Sequence, residues 1–250
     1  MKKRNGWLFL LLASVGANSA YADIEYIETT DKSFVGILDI QARYGGHDEW
    51  VQAASAGSGR ALAFEITEKW PFRSETKRIK AHQFSLLEVA YEFPAVLVYQ
   101  RNDNPTLKDW VRVKIDGELT WLRMEPGDEY DSYTSLFDHG RLGYLLGRSV
   151  ELSDRPAGKS IPRTFKPQDQ NAADFEGWTP EVEVIGRANI TEFDDKTGKG
   201  RTDHWLKIRV GDKPSCSGPG DDEVTYIVEG WVPAYRKNGD IAVWFYSRGC

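Results

Sequence analysis

The chain has 250 residues, with 32 basic and 38 acidic side chains and a net charge of −6 at pH 7. That balance argues against a protein that coats nucleic acid or docks electrostatically on anionic lipid, because both need a basic surface. The length admits one or two domains with cores of their own.

Lys2, Lys3 and Arg4 precede an apolar stretch from Trp7 to Val15 that is too short to span a bilayer. Ala20-Tyr21-Ala22 then offers small residues at the two positions a signal peptidase reads. This predicts a signal peptide over 1–22, a cut before Asp23, and a periplasmic or secreted protein. Removing the three basic residues leaves 29 of the 32 against 38 acids, a net charge of −9. No cysteine stands near the cut to carry a lipid. No later apolar run is long enough to cross a membrane, so no membrane span is expected after cleavage.

Residues 23–85 read as a β-rich segment of no recognisable type. Val35 to Tyr44 is largely apolar and stops at Gly45-Gly46, and Ala61 to Thr67 reads as another strand. Lys69 to His82 is polar, with Pro71 and a basic cluster at Lys77, Arg78 and Lys80, which predicts a solvated loop or hairpin tip. Glu88 to Glu92 and Ala95 to Gln100 are short apolar runs before an Asn102-Asp-Asn-Pro105 turn. Trp110 to Ile115 alternates apolar and basic residues, the period of a half-buried strand. Asp116-Gly117 is a hairpin turn leading to a return strand, Leu119 to Met124. Pro156, Pro162, Pro167 and Pro180 mark a linker over 151–180. Beyond it, Glu181 to Ile185, Trp205 to Val210, Val224 to Val228, Trp231 to Tyr235 and Ile241 to Tyr246 read as strands, with a long polar hairpin loop from Thr191 to Asp203. The tryptophans stand in alternating contexts, which suggests that they fill small β cores.

Trp110-Val-Arg-Val-Lys-Ile and Trp205-Leu-Lys-Ile-Arg-Val match in residue type at every position, 95 residues apart, and each is followed by a second tryptophan strand, at Trp121 and Trp231. The chain therefore reads as two copies of one β unit.

A tryptophan strand of this form, a turn, and a Gly-Trp-Val strand resemble bacterial SH3-like domains. The second copy, 181–250, has Gly230-Trp231-Val232. The first, 86–150, has Thr120-Trp121-Leu122 and lacks the glycine. The resemblance implies tandem small SH3-like barrels, and binding of cell-wall peptides or protein partners through aromatics beside the loops. Those aromatics would be Tyr99, Trp121 and Tyr130 in the first barrel, and Phe193, His204, Trp231, Tyr235 and Trp244 in the second.

Catalytic patterns are weaker. Ser247-Arg248-Gly249-Cys250 resembles the nucleophile motif of L,D-transpeptidases, but no basic residue follows the cysteine and His204 is followed by Trp205 rather than glycine. No histidine follows Cys216, as a cysteine peptidase of the cell wall would require. Ser58 lacks the first glycine of a nucleophile elbow. His47, His82, His139 and His204 have no ligand spacing, and Asp194-Asp195 lacks the oxygen ladder of a calcium loop. Asp128-Glu129-Tyr130-Asp131 offers paired carboxylates for glycoside hydrolysis, though such a cluster is more simply a solvated loop. In an oxidising compartment Cys216 and Cys250 form one disulfide. The sequence thus predicts a mostly β, non-enzymatic protein without cofactor or metal, recognising peptidoglycan or its peptides. The alternatives are a periplasmic protein-interaction or inhibitor module, and a cryptic cell-wall hydrolase or transpeptidase.

Overall fold

Trp110 to Ile115 and Trp205 to Val210, where apolar and polar residues alternate, lie in strands, whereas the loop expected from Thr191 to Asp203 is narrower, because 191–193 and 200–203 pair as strand. The computed structural model describes residues 33–55, 59–69, 73–90, 93–102, 104–138, 142–146, 151–161, 181–193, 200–211 and 226–245. The fold is mostly β, in two antiparallel sheets. The first holds β1 (Gly36–Asp39), β2 (Leu62–Thr67), β3 (Glu75–Ile79), β4 (Leu86–Ala90), β5 (Phe93–Arg101), β6 (Trp110–Ile115), β7 (Glu118–Arg123) and β8 (Glu129–Ser132). Its order is β3-β2-β7-β6-β5-β1-β8, with β4 also on β5. The second holds β9 (Leu142–Leu145), β10 (Leu152–Ser153), β11 (Ser160–Ile161), β12 (Glu181–Phe193), β13 (Gly200–Gly211), β14 (Tyr226–Pro233) and β15 (Val243–Phe245), in the order β11-β10-β14-β13-β12-β9-β15. Among the described residues neither sheet closes into a barrel.

The stretch read as one strand over 35–44 divides. After β1 the Asp39 carboxylate accepts the backbone N–H of Gln41 at 2.8 Å and its side-chain amide at 2.9 Å, which starts a short helix, α1 (Gln41–Tyr44). Gly45 ends it at φ 100°, a conformation that costs glycine little. A second helix, α2 (His47–Ser55), follows and buries Trp50 and Ala53, one turn apart on one face. Its mixed composition hides it from strand-minded reading. The polar stretch at 69–82 contains β3, an edge strand whose basic residues are solvated and whose Ile79 alone is buried.

The first sheet packs in opposite directions on its two faces. One face presents Leu38, Phe64, Val96, Val98, Val113 and Leu122 to Tyr44 and Trp50 of the helices. The other, at β1, β4 and β5, presents Ile37, Leu87, Val89, Ala95 and Leu97 to the second sheet, against Val184, Leu206, Ile208, Val232 and Val243. Ala95 to Val98 are therefore all 0–1% exposed. This is why β5 reads as an unbroken apolar run and not as an alternation: both faces are covered.

Tyr133 joins the sheets. It sits on a 3₁₀ turn, Tyr133–Phe137, capped by the Ser132 side chain. Its hydroxyl donates to the Val243 carbonyl and accepts the Val243 N–H at 3.2 Å, while its own N–H donates to the Val35 carbonyl at 2.9 Å. Phe34 meets Tyr133 edge-on at 5.7 Å and Trp244 at 6.4 Å. Next to this hub, a Cβ on Gly36 would overlap the Asp131 carbonyl oxygen and lie 2.7 Å from the Tyr130 ring. Gly36→Ala is expected to destabilise the fold by about 1–3 kcal/mol, as overpacking does, which a thermal melt would show.

The two tryptophan strands pair with their neighbours in the same register. In β6 and β7, Trp110 faces Arg123 and Arg112 faces Trp121; in β13 and β14, Trp205 faces Pro233 and Lys207 faces Trp231. Both leading strands bury their aliphatic positions and leave Trp, Arg and Lys half-exposed on the outer face. This corrects the expectation for tryptophan: of the six within the described residues, Trp50 and Trp121 are buried, while Trp110, Trp205, Trp231 and Trp244 are half-exposed. For Trp110 and Trp205 the phase decides it, because each shares with basic residues the strand face turned away from the buried aliphatic positions, while Trp244 packs on the edge of the core.

Candidate functional site

The aromatics singled out by the sequence fall into four places. Tyr130, Tyr235, Trp244 and His204 gather around the Phe34-Val35 hub. The Tyr130 and Tyr235 hydroxyls both donate to the Val35 carbonyl, at 3.3 and 3.4 Å. His204 meets the Tyr235 ring edge-on at 6.1 Å, and its Nδ1 lies 2.8 Å from the Asn189 side-chain oxygen. These side chains hold the two sheets together. Burial pushes the Tyr235 hydroxyl above the ordinary tyrosine range, and Tyr133 with it.

Phe193 stands apart. Beyond the short pairings of β12 with β9 and of β13 with β14, these two strands continue as a two-stranded ribbon out to Phe193 opposite Gly200. Phe193 is 69% exposed there. Trp231 lies on the outer face of the second sheet, between Lys207 and Ser153 of the flanking strands. Cys216, Cys250 and residues 1–22, where a signal peptide is expected, lie outside the described residues.

The fourth place is a groove of about 510 Å³ at the end of the first sheet, where β5 turns into β6. Trp121, 7% exposed, forms one wall. Arg112 lies between Gln100 on β5 and Trp121 on β7 in the cross-strand register, and all three line the groove. Arg101 adds a second guanidinium, seated 4.6 Å over the ring of Tyr130. Beside them, the Lys114 ammonium covers Tyr99 at 4.4 Å, so that Tyr99 presents its ring to a cation while it packs against the core between the sheets.

Asn102 and Asn104 complete the rim, and among the described residues Glu68 is the one carboxylate in the lining. Each asparagine folds its own turn: the Asn102 side-chain oxygen accepts the Asn104 N–H at 2.9 Å, and that of Asn104 accepts the Thr106 N–H at 3.0 Å. Of these lining residues only Trp121 is a residue that the sequence singles out. The signal for Arg112 was nevertheless present, because the alternation from Trp110 places it on the outer face, across from Trp121.

Other candidate chemistry is spent on structure. The Asp128 carboxylate, fully buried, takes both Nε (2.7 Å) and Nη2 of Arg43. His47 stacks on Phe93 at 5.9 Å. Burial pushes the Tyr44 hydroxyl up to about 12, against the opposing pull of Arg43 and Arg60. The unfolded chain ionises tyrosine near 10, so this contribution to stability is complete below that pH and is lost as pH rises towards about 12. A denaturation series between those values is expected to show falling stability, and Tyr44→Phe a shallower fall.

No protein-family model matches the chain, and neither a curated protein nor a solved structure is similar to it. Among the described residues no helix is long and apolar enough to cross a membrane.

Proposed function

We propose that this chain is a non-enzymatic, exported binding protein of the bacterial cell envelope, built on two SH3-like units, which recognises peptidoglycan or its peptides. The observation that carries the reading is the groove at Arg112 and Trp121: a concave site of ligand size, lined by polar and charged side chains around one aromatic wall. The repeat of tryptophan strands in the same register supports the SH3-like units, and the leader at 1–22 supports export. Binding falls to the first unit. At the equivalent place in the second, Lys207 is paired with Glu229 at 3.1 Å, and the outer edge of β14 carries β10.

Retention of the mature chain, 23–250, on purified sacculi tests this. The chain should sediment with sacculi at physiological salt and be displaced by soluble muropeptides. Failure to sediment at any ionic strength contradicts wall binding.

A second reading, a protein-interaction or inhibitor module, is favoured by the ribbon and its exposed Phe193. The two are separable by Phe193→Ser. On the wall-binding reading this substitution leaves sacculus retention intact, and stability within about 0.5 kcal/mol of wild type as for an exposed site.

A further inference from the structure

We infer that the groove is a carboxylate subsite, in which Arg112 engages the acid group of a small sugar or peptide unit against the wall made by Trp121. This rests on the binding reading above and specifies its ligand chemistry. Arg101 and Arg112 are donors only, since guanidinium has no acceptor. The Asn104 side-chain oxygen already accepts two bonds from Thr106 and that of Asn102 accepts one, so donors from their NH₂ groups make up most of the remaining capacity. The lining is therefore rich in donors. Among the described residues it sets two arginines against the single carboxylate of Glu68, in a chain whose net charge is −6.

The second observation concerns Arg112 itself. Its Nε is enclosed and has no hydrogen-bond partner within the protein. A buried donor of this kind is normally satisfied. The Nε edge of a guanidinium is one of the two that match a carboxylate bidentately. The register places Arg112 between Gln100 and Trp121, and all three side chains line the groove. The volume, about 510 Å³, exceeds what a bare ion needs and suits one sugar ring or a dipeptide.

The test is a ¹⁵N NMR titration of the mature chain, following the Arg112 Nε–H and the Trp121 indole N–H. Two matched pairs of probes are used. N-acetylmuramic acid and N-acetylglucosamine differ by a lactyl carboxylate; acetyl-D-alanyl-D-alanine and its C-terminal amide differ by a peptide carboxylate. The expected result is saturable shifts at both side chains with at least one acid and not with its uncharged twin. The responding pair identifies the source of the carboxylate. Arg112→Gln should weaken binding at least tenfold, and Arg112→Lys should restore only part of it. If Arg112→Gln does not fold, Arg101→Gln should weaken the same titration several-fold. Equal response to acid and twin, affinity unchanged in both the Arg112→Gln and Arg101→Gln variants, inorganic phosphate acting as strongly as the acids, or no saturable shift at millimolar probe would each overturn the inference. Sacculus retention without a carboxylate response removes the subsite and leaves wall binding standing. A carboxylate response without retention does the reverse.

Discussion

Arg43→Ala should cost about 3–5 kcal/mol of stability, one of the two largest effects expected from a single substitution in this chain. The Arg43 side chain is 8% exposed and that of Asp128 is 0% exposed. Asp128 also accepts the Glu125 N–H at 2.9 Å, and Arg43 donates to the Arg123 carbonyl at 3.1 Å and lies 4.7 Å over the Phe64 ring. The pair thus fastens α1 to the turn before β8 and covers the core between the helices and the first sheet. Removing the guanidinium leaves a carboxylate enclosed without its counter-charge, and that orphaned charge accounts for most of the cost. The melting temperature should fall by roughly 10 °C for a chain of this size. Arg43→Met combined with Asp128→Leu should recover much of the loss, since neither charge is then stranded. The exposed pair of Arg123 and Glu65, 2.9 Å apart, provides the contrast. Arg123→Ala should leave the melt unchanged, because water already solvates both groups.

Tyr133→Ala is expected to cost about as much, roughly 3–5 kcal/mol, through the cavity left by a large buried ring. Its signature is distinct. Tyr133 meets Phe34, Phe137 and Tyr235 at ring distances of 5.7, 5.3 and 5.3 Å and bonds both backbone groups of Val243. Hydrogen-exchange protection should therefore fall together in β5 and β13, one strand from each sheet. Tyr133→Phe keeps the packing and strands the Val243 groups, a smaller loss of about 1–3 kcal/mol. Loss of protection in one sheet only would show that the sheets have separable cores.

These two sites also mark where sequence could be read and where it could not. β6 was legible because one of its faces is core and the other solvent, so Val111, Val113 and Ile115 alternate with Trp110, Arg112 and Lys114. The same holds for β13. Within 35–44, Ile40 and Tyr44 suit a strand as well as a helix. The side chain that decides between them is Asp39, whose capping bonds depend on the local turn. The Arg43–Asp128 pair spans 85 residues, and no local pattern announces a contact of that range. Tyr235 and Tyr130 stand out as aromatics beside polar loops. Their role is to meet at one carbonyl, that of Val35, which only the packing of one sheet on the other makes possible. The groove draws Glu68 and Asn104 from turns far apart in sequence around Arg112. Its chemistry was therefore visible one residue at a time and never as a site.

The most direct test of the account compares sacculus retention of the wild-type mature chain, Arg112→Gln and Phe193→Ser at physiological salt. The account predicts that wild type and Phe193→Ser sediment with the wall while Arg112→Gln remains in solution. Retention of Arg112→Gln at the wild-type level, or loss of retention in Phe193→Ser alone, would contradict it and move recognition from the groove to the ribbon or elsewhere on the surface.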